Sequence, residues 1–187
     1  PLRTTTSERS CRLTASTTSC DASDARTMSE RIHDDEPDTS ETVVRALRDA
    51  ECPQWAKSPI ECLASSGTDN AMWRIHLDTV ADLVVRLPRR PAAAAGVLHE
   101  MEVLRHIERA SIGATVTTPR VRHVGQPHEA FPHDWSVLEW IDGHDAWTLR
   151  DDLDEHALGP LADDLAHAVV AIGAVDMPDA RPRSPGN

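Results

Sequence analysis

Hydrophobic residues are unevenly distributed along the chain. The first 27 residues are rich in Ser, Thr and Arg with almost no bulky apolar side chain, too little to offset the entropy of ordering, and read as disordered. Val43, Val44 and Leu47 then recur at helical spacing. Thr39 and Ser40 are candidate caps ahead of them, Glu41 stands at the positive end, and Pro53 forbids a long continuation. Ile60 to Ala64 reads as a strand, and Ser65 to Asn70 as a turn in which Gly67 is free to take positive φ. Met72 to His76 predicts a second strand, and Asp82 to Leu87 a third that Pro88 stops. From Ala92 to about Arg109 the positions of Val97, Met101 and Leu104 predict one helix, with Pro91 at a tolerated first-turn position. Val121 to Gly125 and Trp135 to Ile141 supply two more strands. The order is three strands, a helix and two strands, an α+β lobe.

After Gly143 the pattern changes. Leu158, Leu161, Leu165, Val169 and Ile172 form one stripe on a helix of about 20 residues. From Pro178 the chain is Pro, Arg, Ser and Gly and reads as an unstructured end. The expected organisation is an extension over 1–38, a lobe over 39–143, the start of a helical region over 144–177 and a tail over 178–187. Met28 opens more ordinary acidic sequence and is the expected natural start.

The formal charge of −12 makes nucleic acid and anionic membrane poor partners, because both require clustered cations. Lys57 is the single lysine; an acidic excess with scarce lysine suits a high-salt, haloarchaeal cytoplasm, and GC-rich coding would give a similar bias. There is no run of 18 apolar residues and no apolar core of a signal peptide near the start, so a cytoplasmic location is expected. Cys11, Cys20, Cys52 and Cys62 have neither C-x-x-C nor zinc spacing and read as free thiols.

Four short pieces carry candidate chemistry. They are the turn Ser65-Ser66-Gly67-Thr68, the cation Arg86 ending an apolar strand, the acid Glu100 on the next helix, and Leu138-Glu139-Trp140-Ile141-Asp142-Gly143 where a strand meets a bend. Separately, these are a turn, an edge cation, a solvated helix face and a strand end. His99-Glu100 is not a zincin motif, since Val103 stands where the second His belongs. His123, His128 and His133 recur at five residues, which suits no metal pattern, and no Ser-centred nucleophile elbow is present.

In this order and spacing the pieces resemble the nucleotide-binding lobe of the aminoglycoside phosphotransferase family, relatives of the protein kinases. The resemblance implies a protein-kinase-like N-lobe, a five-stranded antiparallel sheet with one packed helix, followed by the first helices of an incomplete C-lobe. It implies ATP as cofactor, with magnesium in the full-length family, and a small hydroxylated acceptor. Ser65, Ser66, Gly67 and Thr68 would cradle phosphates with main-chain N–H groups, as the glycine-rich loop of kinases does. Arg86 would contact the α- and β-phosphates where kinases use Lys, held by Glu100; Glu102 points about 200° away along the helix. Leu138 would back the pocket, with the Glu139 carbonyl and the Ile141 N–H facing adenine.

The family's catalytic His-Gly-Asp is missing, since none of the ten histidines precedes Gly-Asp, and Phe131-Pro132 rules out Asp-Phe-Gly. The expectation is therefore a truncated member, able at most to bind nucleotide and inactive alone. The other reading is a non-catalytic nucleotide- or partner-binding module. In either case the 158–172 stripe would be an exposed apolar strip that favours self-association.

Overall fold

The structure is a computed structural model that describes residues 36–63, 68–78, 80–110, 112, 116–144, 148–150 and 154–176. The expected extension up to residue 35, Ser65, Ser66, Gly67, residue 177 and the tail over 178–187 lie outside the described residues.

Helix α1 (Glu41–Glu51) buries Val43, Val44 and Leu47 on one face. Ser40 occupies the N-cap position but its side chain makes no capping bond; its N–H instead donates to Asp38 Oδ1 at 2.8 Å. Glu36, inside the expected 1–38 extension, is among the described residues. Glu36 is buried and ion-paired with Arg89, a partnership far apart in sequence that local composition does not reveal. Arg48 is buried too, because its Nη1 donates to the Ser58 carbonyl at 2.9 Å. Cys52 and Cys62 are free thiols, and burial pushes the Cys52 thiol up to about 11.

Strands β1 (Ile60–Cys62), β2 (Asn70–Ile75), β3 (Leu83–Pro88), β4 (Val121–Gly125) and β5 (Trp135–Glu139) form one antiparallel sheet in the order β1-β2-β3-β5-β4. β2 and β3 pair over their full lengths, from Asn70 opposite Pro88 to Ile75 opposite Leu83. Pro88 thus ends β3 from inside the strand rather than beyond it, since a terminal residue can forgo its N–H. β5 inserts between β3 and β4, with a bulge in β4 between Val121 and His123.

The helix expected from Ala92 to Arg109 is two pieces, α2 (Pro91–Ala94) and α3 (Val97–Arg109). Ala95 and Gly96 interrupt it: Gly96 stands as the N-cap of α3, and a glycine after a run of small alanines has no side chain to hold a continuous helix against the sheet. α3 buries Val97, Met101 and Ile107.

The pleat assigns alternate residues to two faces. Trp73, Ile75, Leu83, Val85, Leu87, Trp135 and Val137 pack with α1 and Phe131 in the larger core. Val84 and Leu138 pack with Val97 and Met101 of α3 in the smaller one. Gly125 lies against Trp135, where a Cβ would overlap the indole. Beyond the sheet, α4 (Glu155–Gly173) includes Pro160 and leaves its apolar residues exposed; Leu165 and Val169 are each 64% accessible and Val170 71%. Among the described residues, no helix is long and apolar enough to cross a membrane.

Candidate functional site

A cavity of about 610 Å³ opens on the α3 side of the sheet. Met72 of β2 and Val84 and Arg86 of β3 line one wall; Leu138 of β5 with Glu139, Trp140 and Ile141 line another, and Thr68, Asp69 and Asn70 close one edge. Four of these positions follow from pairing alone. Met72 lies opposite Arg86, and Val84 lies opposite Leu138, so all four side chains share the α3 face.

Arg86 donates from Nη1 to Glu100 Oε1 at 2.5 Å. Glu100 stands in the first turn of α3, where its carboxylate also complements the positive helix end. It is Glu100, not Glu102, that meets Arg86. Arg86 is mostly covered and Glu100 half-exposed, and among the described residues the pair leaves the cation with unused N–H donors beside the cavity.

The loop edge is fixed from β3. The Arg89 N–H donates to the Asp69 carbonyl at 2.8 Å, and Arg90 pairs with the Asp69 carboxylate. Arg89 in turn is paired with buried Glu36.

At the opposite end, β5 stops at Glu139, two residues before the expected end at Ile141. The Glu139 N–H donates to the Arg120 carbonyl at 2.9 Å and the Trp140 N–H to the Asp82 carbonyl at 2.8 Å. The pleat turns the Glu139 carboxylate to the other face, where it meets Arg122 at 3.1 Å, so Glu139 presents main chain to the cavity. Among the described residues the Ile141 N–H finds no acceptor. Asp82 anchors this corner: its carboxylate accepts the Leu77 N–H at 2.8 Å and Arg74 Nε at 2.7 Å. The Leu77 bond, then those of Arg74 and His76, hold the Asp82 carboxyl below the usual carboxylate range.

Of the residues singled out from sequence, Thr68, Arg86, Leu138, Glu139 and Ile141 therefore surround one cavity, and Glu100 stands behind Arg86. Asp69, Asn70, Met72, Val84, Pro119 and Trp140 also line it and had been given no individual role from the sequence. Strand alternation from Arg86 would have found Val84. Asp69 and Pro119 carry no such signal. Chemically, the cavity offers a cation at one end, an apolar middle and a peptide edge with an unspent donor at the other.

A sequence profile described as the phosphotransferase enzyme family (APH) matches residues 62–186, about two thirds of the chain. Among solved structures, the GDP complex of wild-type aminoglycoside 2'-phosphotransferase-IIIa superposes with a TM-score of 0.54 at 14% identity, covering 73% of this chain and 43% of that one. The GDP complex of a point mutant of the same enzyme gives 0.49 at 16% identity, covering 74% and 46%. No curated protein matches the chain. The chain thus spans less than half the length of the solved enzyme, and the part it spans carries the same fold. With a kinase-like five-stranded lobe and a profile match across most of its length, the chain belongs to the phosphotransferase enzyme family.

Proposed function

We propose that this chain is the nucleotide-binding part of an ATP-dependent small-molecule phosphotransferase acting on a hydroxylated acceptor. The observation that carries the reading is one cavity with the Arg86–Glu100 pair at one end and the Leu138–Ile141 edge at the other. The residues suit a nucleotide. Met72, Val84, Leu138 and Ile141 give apolar walls for a flat base, and Arg86 gives a guanidinium able to hold two phosphate oxygens at once. The Glu139 carbonyl and Ile141 N–H would read the base edge; Ser65, Ser66, Gly67 and Thr68 would contact phosphates through main chain. A bound nucleoside triphosphate supplies the transferable phosphoryl group. Among the described residues no three His, Cys, Asp or Glu converge as a metal site, and no residue is assigned to magnesium.

The lobe is taken to extend to Gly143, with 144–177 beginning a helical region. With no His-Gly-Asp in its sequence, the chain alone is proposed to transfer no phosphoryl group. Calorimetric titration with ATP and GTP, with and without magnesium, tests the reading. Saturable binding with Kd below about 1 mM, weakened about tenfold by Arg86→Gln, supports it; no saturable binding of either nucleotide overturns it. The exposed apolar face of α4 favours a second property, self-association, which light scattering across a concentration series would detect as a rising mass.

A further inference from the structure

Arg74 is the second cation on the cavity face of the sheet, two residues along β2 from Met72, and the nucleotide reading gives it no role. Its guanidinium lies over the Trp140 ring with 4.5 Å from its central carbon to the ring centroid. Nε is bonded to Asp82 Oδ2 at 2.7 Å, and Nη2 stands 3.9 Å from Asp142 Oδ1. Trp140 is held at two further points. Its main-chain N–H donates to the Asp82 carbonyl and its indole Nε1 to Asp142 Oδ1, both at 2.8 Å. His76 closes the rear of the cluster, with Nδ1 3.1 Å from Asp82 Oδ2 and Nε2 3.1 Å from Glu61 Oε2. Asp82 therefore serves both ends, gripping Arg74 with its carboxylate and Trp140 with its carbonyl. Trp140 and Ile141 line the cavity, and the Ile141 N–H has no acceptor among the described residues.

We propose that Arg74 is a positioning residue for the base-binding edge: braced by Asp82, it clamps Trp140 and Asp142 and so holds the 139–141 main chain facing the cavity. The proposal rests on the nucleotide reading and adds a residue that would act only on the nucleoside end of the ligand. A cation stacked on an indole and tied to a carboxylate restrains the ring more than either contact alone, and an edge held in place loses less entropy when a base binds.

The test uses the full 187-residue chain and three probes: ATP, adenosine and inorganic tripolyphosphate. Arg74→Ala is expected to weaken ATP and adenosine about tenfold and tripolyphosphate by less than about twofold. Arg74→Lys should fall between, since lysine keeps the charge beside Asp82 but loses the planar stack. Unchanged adenosine affinity in Arg74→Ala overturns the proposal. So does an equal loss of all three probes in both variants, which would make Arg74 merely structural. If the wild-type chain binds no probe, the nucleotide reading fails by itself, and amide exchange of the ligand-free protein still decides the clamp. Exchange at the Trp140 N–H should then be about tenfold faster in Arg74→Ala with Val85 unchanged. Equal Trp140 rates in the two proteins overturn it.

Discussion

The two faces of the sheet are made from the same strands and do different things. On the α1 face, Leu47, Ile75, Leu87 and Phe131 are fully buried, and Trp135 and Val137 nearly so. On the α3 face, Val84, Val97, Met101 and Leu138 form a smaller core, and the rest of the surface is given to the cavity and to the cations Arg74 and Arg86. Leu83, Val85, Leu87, Trp135 and Val137 seal the lobe. Val84, Arg86 and Leu138 serve the site. A one-residue slip of either strand would exchange these duties, so the register that stabilises the lobe also aims the site.

Substitutions can separate or merge the two faces. Leu47→Ala should have the largest effect on folding, about 2–5 kcal/mol by urea denaturation, with nucleotide affinity per folded molecule unchanged. Leu138→Ala should cost about 2–3 kcal/mol and also weaken nucleotide binding. If it lowered stability alone, the division between faces would not hold. Glu100→Gln should cost at most about 1 kcal/mol, since the pair is partly exposed, yet weaken ATP about tenfold by releasing Arg86.

A pH series sharpens the corner at Asp82. Its folded pKa is lowered, so its stabilisation is present above the ordinary value near 3.8 and is lost as pH falls through the lower folded value. The stability gap between wild type and Asp82→Asn should accordingly be widest near neutrality and close in acid, as thermal melts across pH would show. Leu165→Glu should have the smallest effect, within about 0.5 kcal/mol on the monomer, because the side chain is already in water. It should nevertheless reduce any association measured by light scattering.

Much of this was legible in the chain. The short apolar runs Met72 to Ile75 and Leu83 to Leu87, bounded by turn residues, foretell two strands, and the three-and-four spacing of Val97, Met101 and Leu104 foretells α3. The break at Gly96 was harder to see, because the alanines at 92–95 before it and the apolar Val97 and Leu98 after it all suit helix, and one glycine gives only a weak local sign of a break. Glu36 was missed for a different reason. Its partner Arg89 is remote in sequence, and an isolated acid in polar surroundings gives no local sign of burial. The Arg74–Asp82–Trp140 cluster is of the same kind. Each residue is unremarkable alone, and only the β2–β3 and β3–β5 registers bring them to one corner.

The strand order has a consequence for how the lobe is made. β4 has β5 as its one neighbour in the sheet, and β5 comes after it in the chain. During synthesis, residues 121–125 emerge with no strand to pair with, beside a three-stranded meander whose β3 edge is still open. Both edges are satisfied together when residues 135–139 insert between them. That step joins segments far apart in sequence and must offset a large loop-closure entropy before it gains any pairing, so it is expected to pace folding. The strand that completes the sheet also supplies Leu138 and leads into Trp140 and Ile141, so the cavity wall is assembled last, in the same event that closes the sheet.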